Sequence, residues 1–191
     1  IKDYLPYTIE LGRSFVRVGF QSSRQGAKAI FALDNLWDGL GALTVDNPEI
    51  KYLFGKVTMY PEYDTECRDM ILYFISKHFP DNEKLVTPIN PLQTQTDFKK
   101  MEEVFKGKTY AEDFKVLNSR IREHGITIPP LVNAYMSLSP TMKTFGTAIN
   151  DLFGNVEESG ILIKISDIFE EKKQRHIGSY RPGDELQTSA Q

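Results

Sequence analysis

The sequence has few of the features that mark secreted, membrane-spanning or nucleic-acid-binding proteins. Cys67 is its only cysteine, so no disulfide can form within the chain, and we expect a reducing compartment such as the cytoplasm. It contains no run of eighteen apolar residues and shows no secretory signal pattern at its start, so we expect no membrane-spanning segment. The net charge is −3 with both signs interspersed, and we expect no nucleic acid as a partner.

Metal-binding patterns are missing as well. The three histidines, His78, His124 and His176, are scattered along the chain and have none of the spacings of a metal site, so we expect no bound metal. Cys67 has no sequence neighbour that would make it a nucleophile, and it is predicted to be a small buried apolar residue.

The overall amino-acid composition is typical of one globular domain. Of the 191 residues, 40% are apolar and 26% are charged, which is enough for a full core. We expect a single domain over residues 1–169 with a helical insertion at about 83–125. A polar C-terminal tail, disordered or loosely attached, is expected over residues 170–191.

The first half of the sequence predicts alternating strands and helices. Residues Tyr7 to Val16 are rich in β-branched and aromatic side chains, which predicts a strand. Apolar residues then recur every three or four positions from Ile30 to Leu43, which predicts a helix that ends near Asn47. A second strand is predicted from Tyr52 to Tyr60 and a second helix from Asp64 to Phe79. This order predicts an α/β fold with a mixed sheet.

The second half has weaker patterns. A polar loop follows residue 83, and two short charged helices are predicted at about 97–105 and 110–124. The apolar segment Leu131 to Leu138 fits either a short helix or a strand, and it could line an acyl-chain tunnel or fill the core. Residues Gly160 to Asp167 alternate enough to be the last strand of the sheet.

The turn between the first strand and the first helix is a candidate phosphate site. Ser22 or Ser23 can cap the helix, whose free N–H groups and positive dipole end attract phosphate. Gly26 would let a ligand approach the backbone, and Arg24 and Lys28 add positive charge. The alternative is an ordinary solvated helix start with two surface cations.

Several motifs together resemble a known family. They are Glu10 to Val16 (ELGRSFV), Leu36 to Leu40 (LWDGL) and Tyr52 to Val57 (YLFGKV), and the match continues at Ile128 to Tyr135 and Gly160 to Ile163. The chain resembles the bacterial N-acyl amino acid synthases, which include the ornithine- and glycine-lipid synthases and are often labelled hemolysin-like. That family lies within the GNAT N-acyltransferase superfamily. The Glu-x-x-Arg-x-x-Val core is also similar to that of the acyl-homoserine-lactone synthases.

The resemblance implies a GNAT-like fold whose first strands precede the Glu10 strand and lie outside this sequence. It implies that the Glu10 and Gly55 strands splay apart to admit an acyl thioester. The implied enzyme is an N-acyltransferase of aminolipid biosynthesis. It would move a long, 3-hydroxylated acyl chain from acyl carrier protein to the amino group of an amino acid such as glycine or ornithine, giving an N-acyl amino acid. The expected partners are acyl carrier protein, the amino acid and a peripheral surface of the inner membrane.

Glu10 and Arg13 are the candidate catalytic residues. N-acylation needs a neutral amine, whereas an amino acid arrives as an ammonium, so the site must remove a proton. The resemblance assigns this step to Glu10, directly or through water; on spacing alone, the alternative is a structural ion pair with Arg13 or Arg17. Arg13 either holds the acceptor carboxylate or, as the resemblance favours, braces the sheet through an acidic residue such as Asp34 or Asp38.

The expected donor site follows from the same resemblance. Residues 21–26 fall where GNAT enzymes have the loop that wraps a pyrophosphate, but Arg24 stands at the place of its first glycine. This departure favours the single phosphate of an acyl-phosphopantetheine thioester on acyl carrier protein over acyl-coenzyme A. Gly55 is expected to admit the thioester near backbone N–H groups that polarise its carbonyl, or simply to pack against the Trp37 helix. No permanently bound cofactor is expected, and the residues expected to bind the donor are Ser22, Ser23, Arg24, Gly26, Lys28 and Gly55.

Two rival functions stay open. The nearest is an enzyme like the acyl-homoserine-lactone synthases, which use an N-terminal segment for their acceptor, and we expect that segment to lie outside this sequence. The other is a membrane-active, hemolysin-like lipid-binding protein. It would need an exposed amphipathic helix with a basic polar face, and residues 97–124 are too mixed in charge and too poor in apolar residues for that.

Overall fold

The computed structural model describes residues 1–12, 27–178 and 180–181, with the side chains of the first helix from residue 35 onward. The strands are β1 (Thr8–Leu11), β2 (Tyr52–Met59), β3 (Lys143–Asn150) and β4 (Val156–Lys164). The α-helices are α1 (Ala27–Asp46), α2 (Thr65–His78), α3 (Phe98–Val104), α4 (Tyr110–Glu123), α5 (Pro130–Met136) and α6 (Glu170–His176). Short 3₁₀ turns precede β1 at Leu5–Tyr7 and follow β4 at Ile165–Asp167.

Within the described residues, the four strands form one mixed sheet in the order β1, β2, β4, β3. Strand β1 runs parallel to β2, with Thr8 opposite Tyr52 and Leu11 opposite Gly55, whereas β4 is antiparallel to both β2 and β3. A parallel pair needs a crossover, and the segment that contains α1 provides it between β1 and β2. A mixed sheet flanked by helices confirms the predicted α/β, GNAT-like fold class.

Helix α2 begins and ends where the sequence predicts. Its N-cap is Asp64, whose carboxylate accepts a hydrogen bond from the N–H of Cys67 at 2.9 Å. Its C-cap is Phe79, immediately before Pro80, which cannot continue a helix. The predicted insertion contains the two expected helices, α3 and α4. None of the described helices has both the length and the apolar character that crossing a membrane requires.

The core lies between the sheet and helices α2 and α4. Ile71 and Phe74 of α2, Leu117 of α4 and Ile161 and Ile163 of β4 are all buried. Each such side chain stabilises the fold by about 1.5–3 kcal/mol through the apolar surface it removes from water. Strands β2 and β4 contribute buried side chains to this core, and β1 joins it by pairing with β2 and by packing Ile9 and Leu11 against it.

Two strands depart from the sequence prediction because of local irregularity. Strand β3 is not predicted, since Gly146 has a φ of +80° and the pairing with β4 shifts between Thr144 and Thr147. Such a bulge breaks the alternation by which a strand is recognised. Strand β4 begins at Val156 rather than at Gly160. The residues at its start include Glu157, which is buried and accepts a hydrogen bond from Arg68 at 2.6 Å.

The C-terminal segment is more ordered than predicted. The expectation of a loosely attached chain from residue 170 onward is wrong for Glu170–His176, which form helix α6 against α1. His176 is buried, and its Nδ1 lies 2.7 Å from Oδ1 of Asp38. Helices α1 and α6 approach each other very closely at Gly41. A Cβ atom added there would lie 1.9 Å from the His176 backbone oxygen. Residues 182–191 of the predicted tail lie outside the described residues.

Candidate active site

A cavity of about 400 Å³ lies at the carboxyl end of β1. Helix α1 and helix α5 each contribute lining residues, so the cavity is bordered by elements that carry the family-like motifs. Its lining is mostly apolar, which is typical of a pocket for an organic ligand. The lining residues are Ile9, Glu10, Leu11, Gly12, Asn35, Leu36, Trp37, Gly39, Leu40, Leu43, Leu131 and Tyr135.

Glu10 lines this apolar cavity at the carboxyl end of β1. It is the exposed residue of β1, and its neighbours Ile9 and Leu11, on the other face of the strand, are partly buried against the core. A Cβ added at Gly12 would lie 3.8 Å from Oε1 of Glu10, so the two residues share one face, as strand alternation predicts. The side chain is exposed rather than half-buried, and a ligand in the cavity can reach it.

Gly55 permits a close approach of α5 to the sheet. A Cβ added at this buried glycine would lie 3.0 Å from the hydroxyl oxygen of Tyr135 and 3.6 Å from Cβ of Leu11. The tight contact is therefore with a side chain of α5. Leu11 and Gly55 are the last paired residues of β1 and β2, so any separation of the two strands would begin beyond Leu11. The donor-binding role expected of Gly55 stays a prediction.

Tyr135 is a site residue that the sequence reasoning does not single out. Its ring packs edge-on against Trp37 with 5.6 Å between centroids, and both residues line the cavity. Burial raises the pKa of Tyr135 to about 12, so its hydroxyl stays protonated at neutral pH and can donate a hydrogen bond. The segment Leu131 to Leu138 forms helix α5 up to Met136, which settles the alternative between helix and strand.

The other predicted site residues fall largely outside the described part of the chain. Arg13, Ser22, Ser23, Arg24 and Gly26 lie outside it, and for Lys28 only the backbone, within α1, is described. The expected brace of Arg13 on Asp34 or Asp38 is therefore a prediction still. The described partner of Asp38 is His176.

The histidines each contact a carboxylate away from the cavity. His78 Nε2 lies 2.9 Å from Oδ2 of the buried Asp113, and His124 Nδ1 lies 3.4 Å from Oδ2 of Asp64. Among the described residues, Asp64, Cys67 and His124 also bring ligand-type atoms within 4.8 Å of one another. Burial and the Asp64 carboxylate raise the pKa of the Cys67 thiol to about 12. The thiol therefore stays protonated, and helix capping accounts for the cluster.

Within the described residues, the fold and cavity define an α/β chain of GNAT-like architecture with a mostly apolar pocket that Glu10 lines at the carboxyl end of β1. No family model matches the sequence, and no solved structure matches it. The chain is similar to a glycine N(alpha)-acyltransferase of Phocaeicola vulgatus, with 61% identity over 180 residues. It is also similar to a glycine N(alpha)-acyltransferase of Bacteroides thetaiotaomicron, with 62% identity over 180 residues.

These similarities cover most of this chain but about half of each relative. The aligned region is 94% of the present chain in both cases, and it is 55% of the Phocaeicola protein and 53% of the Bacteroides protein. The chain therefore spans about half the length of the curated relatives it matches.

Proposed function

We propose that this chain forms the acyl-transferring region of an N-acyltransferase that acts on the amino group of an amino acid, with glycine as the acceptor. The observation that carries the proposal is the apolar cavity that contains Glu10, in a chain 61% identical to a protein named glycine N(alpha)-acyltransferase. A mostly apolar pocket lined by a glutamate suits a reaction between an acyl chain and an amine.

The proposed reaction transfers the acyl group from sulfur to nitrogen. Glu10 accepts a proton from the ammonium of the amino acid, directly or through water. The amine nitrogen then attacks the thioester carbonyl carbon, so that a C–N bond forms and the C–S bond breaks. The sulfur leaves as a thiolate and takes up the second proton, which the nitrogen loses as it becomes an amide, while Glu10 releases its proton to solvent. The protonated hydroxyl of Tyr135, above Gly55, is placed to donate a hydrogen bond to an oxygen or sulfur bound there.

The acyl chain is assigned to the leucine-rich part of the cavity. Leu36 and Leu43 of α1 are exposed apolar residues that line it, and Leu131 of α5 lines the same cavity. We propose a long, 3-hydroxylated chain, which removes more apolar surface from water than a short one. The product is an N-acyl amino acid, a lyso-aminolipid, made in the cytoplasm at the surface of the inner membrane.

A direct test is acyl transfer by the purified protein. Acyl thioester and glycine are incubated with it, and the N-acyl amino acid is detected by mass spectrometry, with ornithine and homoserine-type acceptors in parallel. We expect N-acylglycine as the main product. Release of thiol without an N-acyl product, or equal use of every acceptor, would contradict the proposal.

Enlarging Leu131 is expected to shorten the preferred acyl chain. Leu131→Phe adds volume to a wall of the cavity, and overpacking of this size lowers kcat/KM for the longest chains by roughly tenfold while the KM for glycine stays the same. The matched control is Asn133→Leu, on an exposed position of the same helix, which should leave the chain-length profile unchanged. A change in glycine KM alone would place the acyl chain elsewhere.

We also propose that acyl carrier protein is the preferred donor carrier, since Arg24 replaces a glycine of the pyrophosphate loop. Arg24→Glu or Lys28→Glu is expected to raise the KM for acyl carrier protein roughly three- to tenfold at low salt, and less in high salt, because salt screens such contacts. Lys115→Glu, an exposed lysine on α4, serves as the control. Equal use of acyl-coenzyme A with no effect of salt would refute the preference.

A further inference from the structure

Two stretches of the sequence are nearly free of charge in a chain that is otherwise 26% charged. Residues 85–96 contain no charged residue, and residues 144–156 contain only Asp151. Neither stretch forms part of the cavity at β1. The first belongs to the loop between α2 and α3, and the second comprises most of β3 and the turn into β4.

The structure brings these two stretches side by side. The N–H of Leu92 donates to the carbonyl oxygen of Thr147 at 2.9 Å, and the N–H of Ile149 donates to that of Asn90 at 3.0 Å. The loop is anchored on its other side as well, because the buried carboxylate of Asp69 accepts hydrogen bonds from the backbone of Gln95 at 2.8 Å. The loop therefore lies along the edge of β3 as an extension of the sheet.

Four large apolar or aromatic side chains are exposed at this end of the sheet. Ile89 is fully exposed, Leu152 and Phe153 in the β3–β4 turn are 94% and 66% exposed, and Tyr60 after β2 is 63% exposed. Tyr60 follows Met59, which pairs with Glu157 just after the turn. We call these four residues the apolar end. Soluble surfaces rarely group so many exposed large apolar side chains unless they contact another apolar phase.

The apolar end lies further than the cavity along the direction in which the parallel strands β1 and β2 run from their N-termini to their C-termini. The cavity is at the carboxyl end of β1, opposite Gly55, and β2 continues from Gly55 to Met59 along the β3–β4 hairpin. At a rise of about 3.3 Å per residue, Tyr60 is roughly 16 Å further along β2 than Gly55. The cavity and the apolar end therefore lie toward the same end of the sheet.

We propose that the apolar end docks the protein on a lipid bilayer by inserting Ile89, Leu152 and Phe153 among the acyl chains, with Tyr60 at the headgroup level. This inference rests on the proposed function, because it gives an enzyme that makes an amphipathic product a way to reach the membrane. It names the residues that make the contact.

The shape and charge of the apolar end favour a bilayer over a protein. Its side chains project from three loops, and a fluid bilayer accepts such projections without a matching groove, whereas protein interfaces combine an apolar centre with a polar rim. In the sequence, the charged residue nearest to Tyr60 is Glu62, the one nearest to Leu152 is Asp151 and the one nearest to Ile89 is Lys84, so no basic cluster adjoins the apolar end. On the adjacent strands, Lys56 is paired with Glu158 at 2.9 Å. Binding should therefore depend on apolar insertion and not on anionic lipid.

The test is flotation of the purified protein with vesicles of phosphatidylcholine alone, at low and high salt. We expect the protein to float with these vesicles to a similar extent at both salt concentrations. The variant Ile89→Ser/Leu152→Ser/Phe153→Ser should lower the bound-to-free ratio about tenfold or more, because it removes most of the apolar area that inserts. The control is Leu5→Ser, which alters a side chain 58% exposed at the opposite end of the sheet, before β1, and should float like the wild type.

Several results would overturn the proposal. One is a wild-type protein that does not float, or whose flotation requires anionic lipid and is lost in high salt. Another is a triple variant that floats as well as the wild type. A third is ultracentrifugation that shows the wild type to be a dimer and the triple variant a monomer, which would make the apolar end a protein interface. The proposed function is checked separately with a short-chain acyl donor in the absence of vesicles. There the triple variant should transfer acyl groups like the wild type, so a failure of docking and a failure of catalysis are distinguishable.

Discussion

Replacing Glu10 with glutamine is expected to lower kcat by about 10²- to 10⁴-fold and to leave the fold intact. Glutamine keeps the shape and the hydrogen-bonding reach of glutamate but cannot take a proton from the ammonium of the acceptor. Because the Glu10 side chain is exposed at the cavity, the substitution removes no core packing. The measurements are kcat with an acyl thioester and glycine, and a melting curve of the same protein.

The pH profile of this variant gives a second readout. Without a base, only acceptor that is already deprotonated in solution can react, so the rate should climb with pH further into the alkaline range than that of the wild type. The matched control is Glu158→Gln, a carboxylate paired with Lys56 on the sheet, which should keep kcat within about twofold since such partly exposed pairs contribute little. A Glu10→Gln protein that melts early but turns over normally would refute the catalytic assignment.

A methyl group at Gly41 is expected to destabilise the protein by about 3 kcal/mol and to separate α6 from α1. The added Cβ would lie 1.9 Å from the backbone oxygen and 2.7 Å from the carbonyl carbon of His176. Backbone atoms cannot swing aside as a flexible side chain can, so the helices must move apart. Chemical unfolding of Gly41→Ala measures the loss of stability.

Gly39→Ala, on the same helix, is the control. Among the described residues no atom lies within 4 Å of a Cβ added at Gly39, and alanine is a better helix former than glycine by about 1 kcal/mol. We expect this variant to be at least as stable as the wild type. Trp37, the only tryptophan of the chain, also lines a small cavity between α1 and α6, so its fluorescence should shift in Gly41→Ala alone. Equal stability of the two variants would show that the helices do not pack this closely.

The parts of the fold that were predicted are those with local signals. Asp64 and Pro80 mark the ends of α2 in the sequence itself, and apolar periodicity marks α1. Helix α6 has no apolar stripe to reveal it. It is held by the contact of His176 with Asp38 and by its approach to a glycine on a distant helix. Strand β3 is hidden by its bulge. Contacts of this kind depend on tertiary packing and are not encoded in any short window.

The candidate site also combines residues that local sequence signals predicted with residues whose positions depend on tertiary packing. The family-like motif predicted Glu10 as a site residue, and its catalytic role stays a prediction, whereas its position on the same face as Gly12 follows from strand alternation. Tyr135 was not identified, because its position depends on how α5 approaches β2. Gly55 was a partial signal, since a glycine within a strand indicates a close neighbour but does not say which element supplies it. The roles expected of Arg13 and of the turn at residues 22–26 remain predictions.

The burial of Cys67 has a practical consequence for enzymology. The proposed reaction frees one thiol for each acyl group transferred, so it can be followed continuously with a chromogenic disulfide that reacts with thiolates. Cys67 is fully buried, and the pKa of its thiol is raised to about 12, so at neutral pH it offers almost no thiolate to such a reagent. In the folded state, this chain should therefore contribute almost no background to the colour that reports turnover.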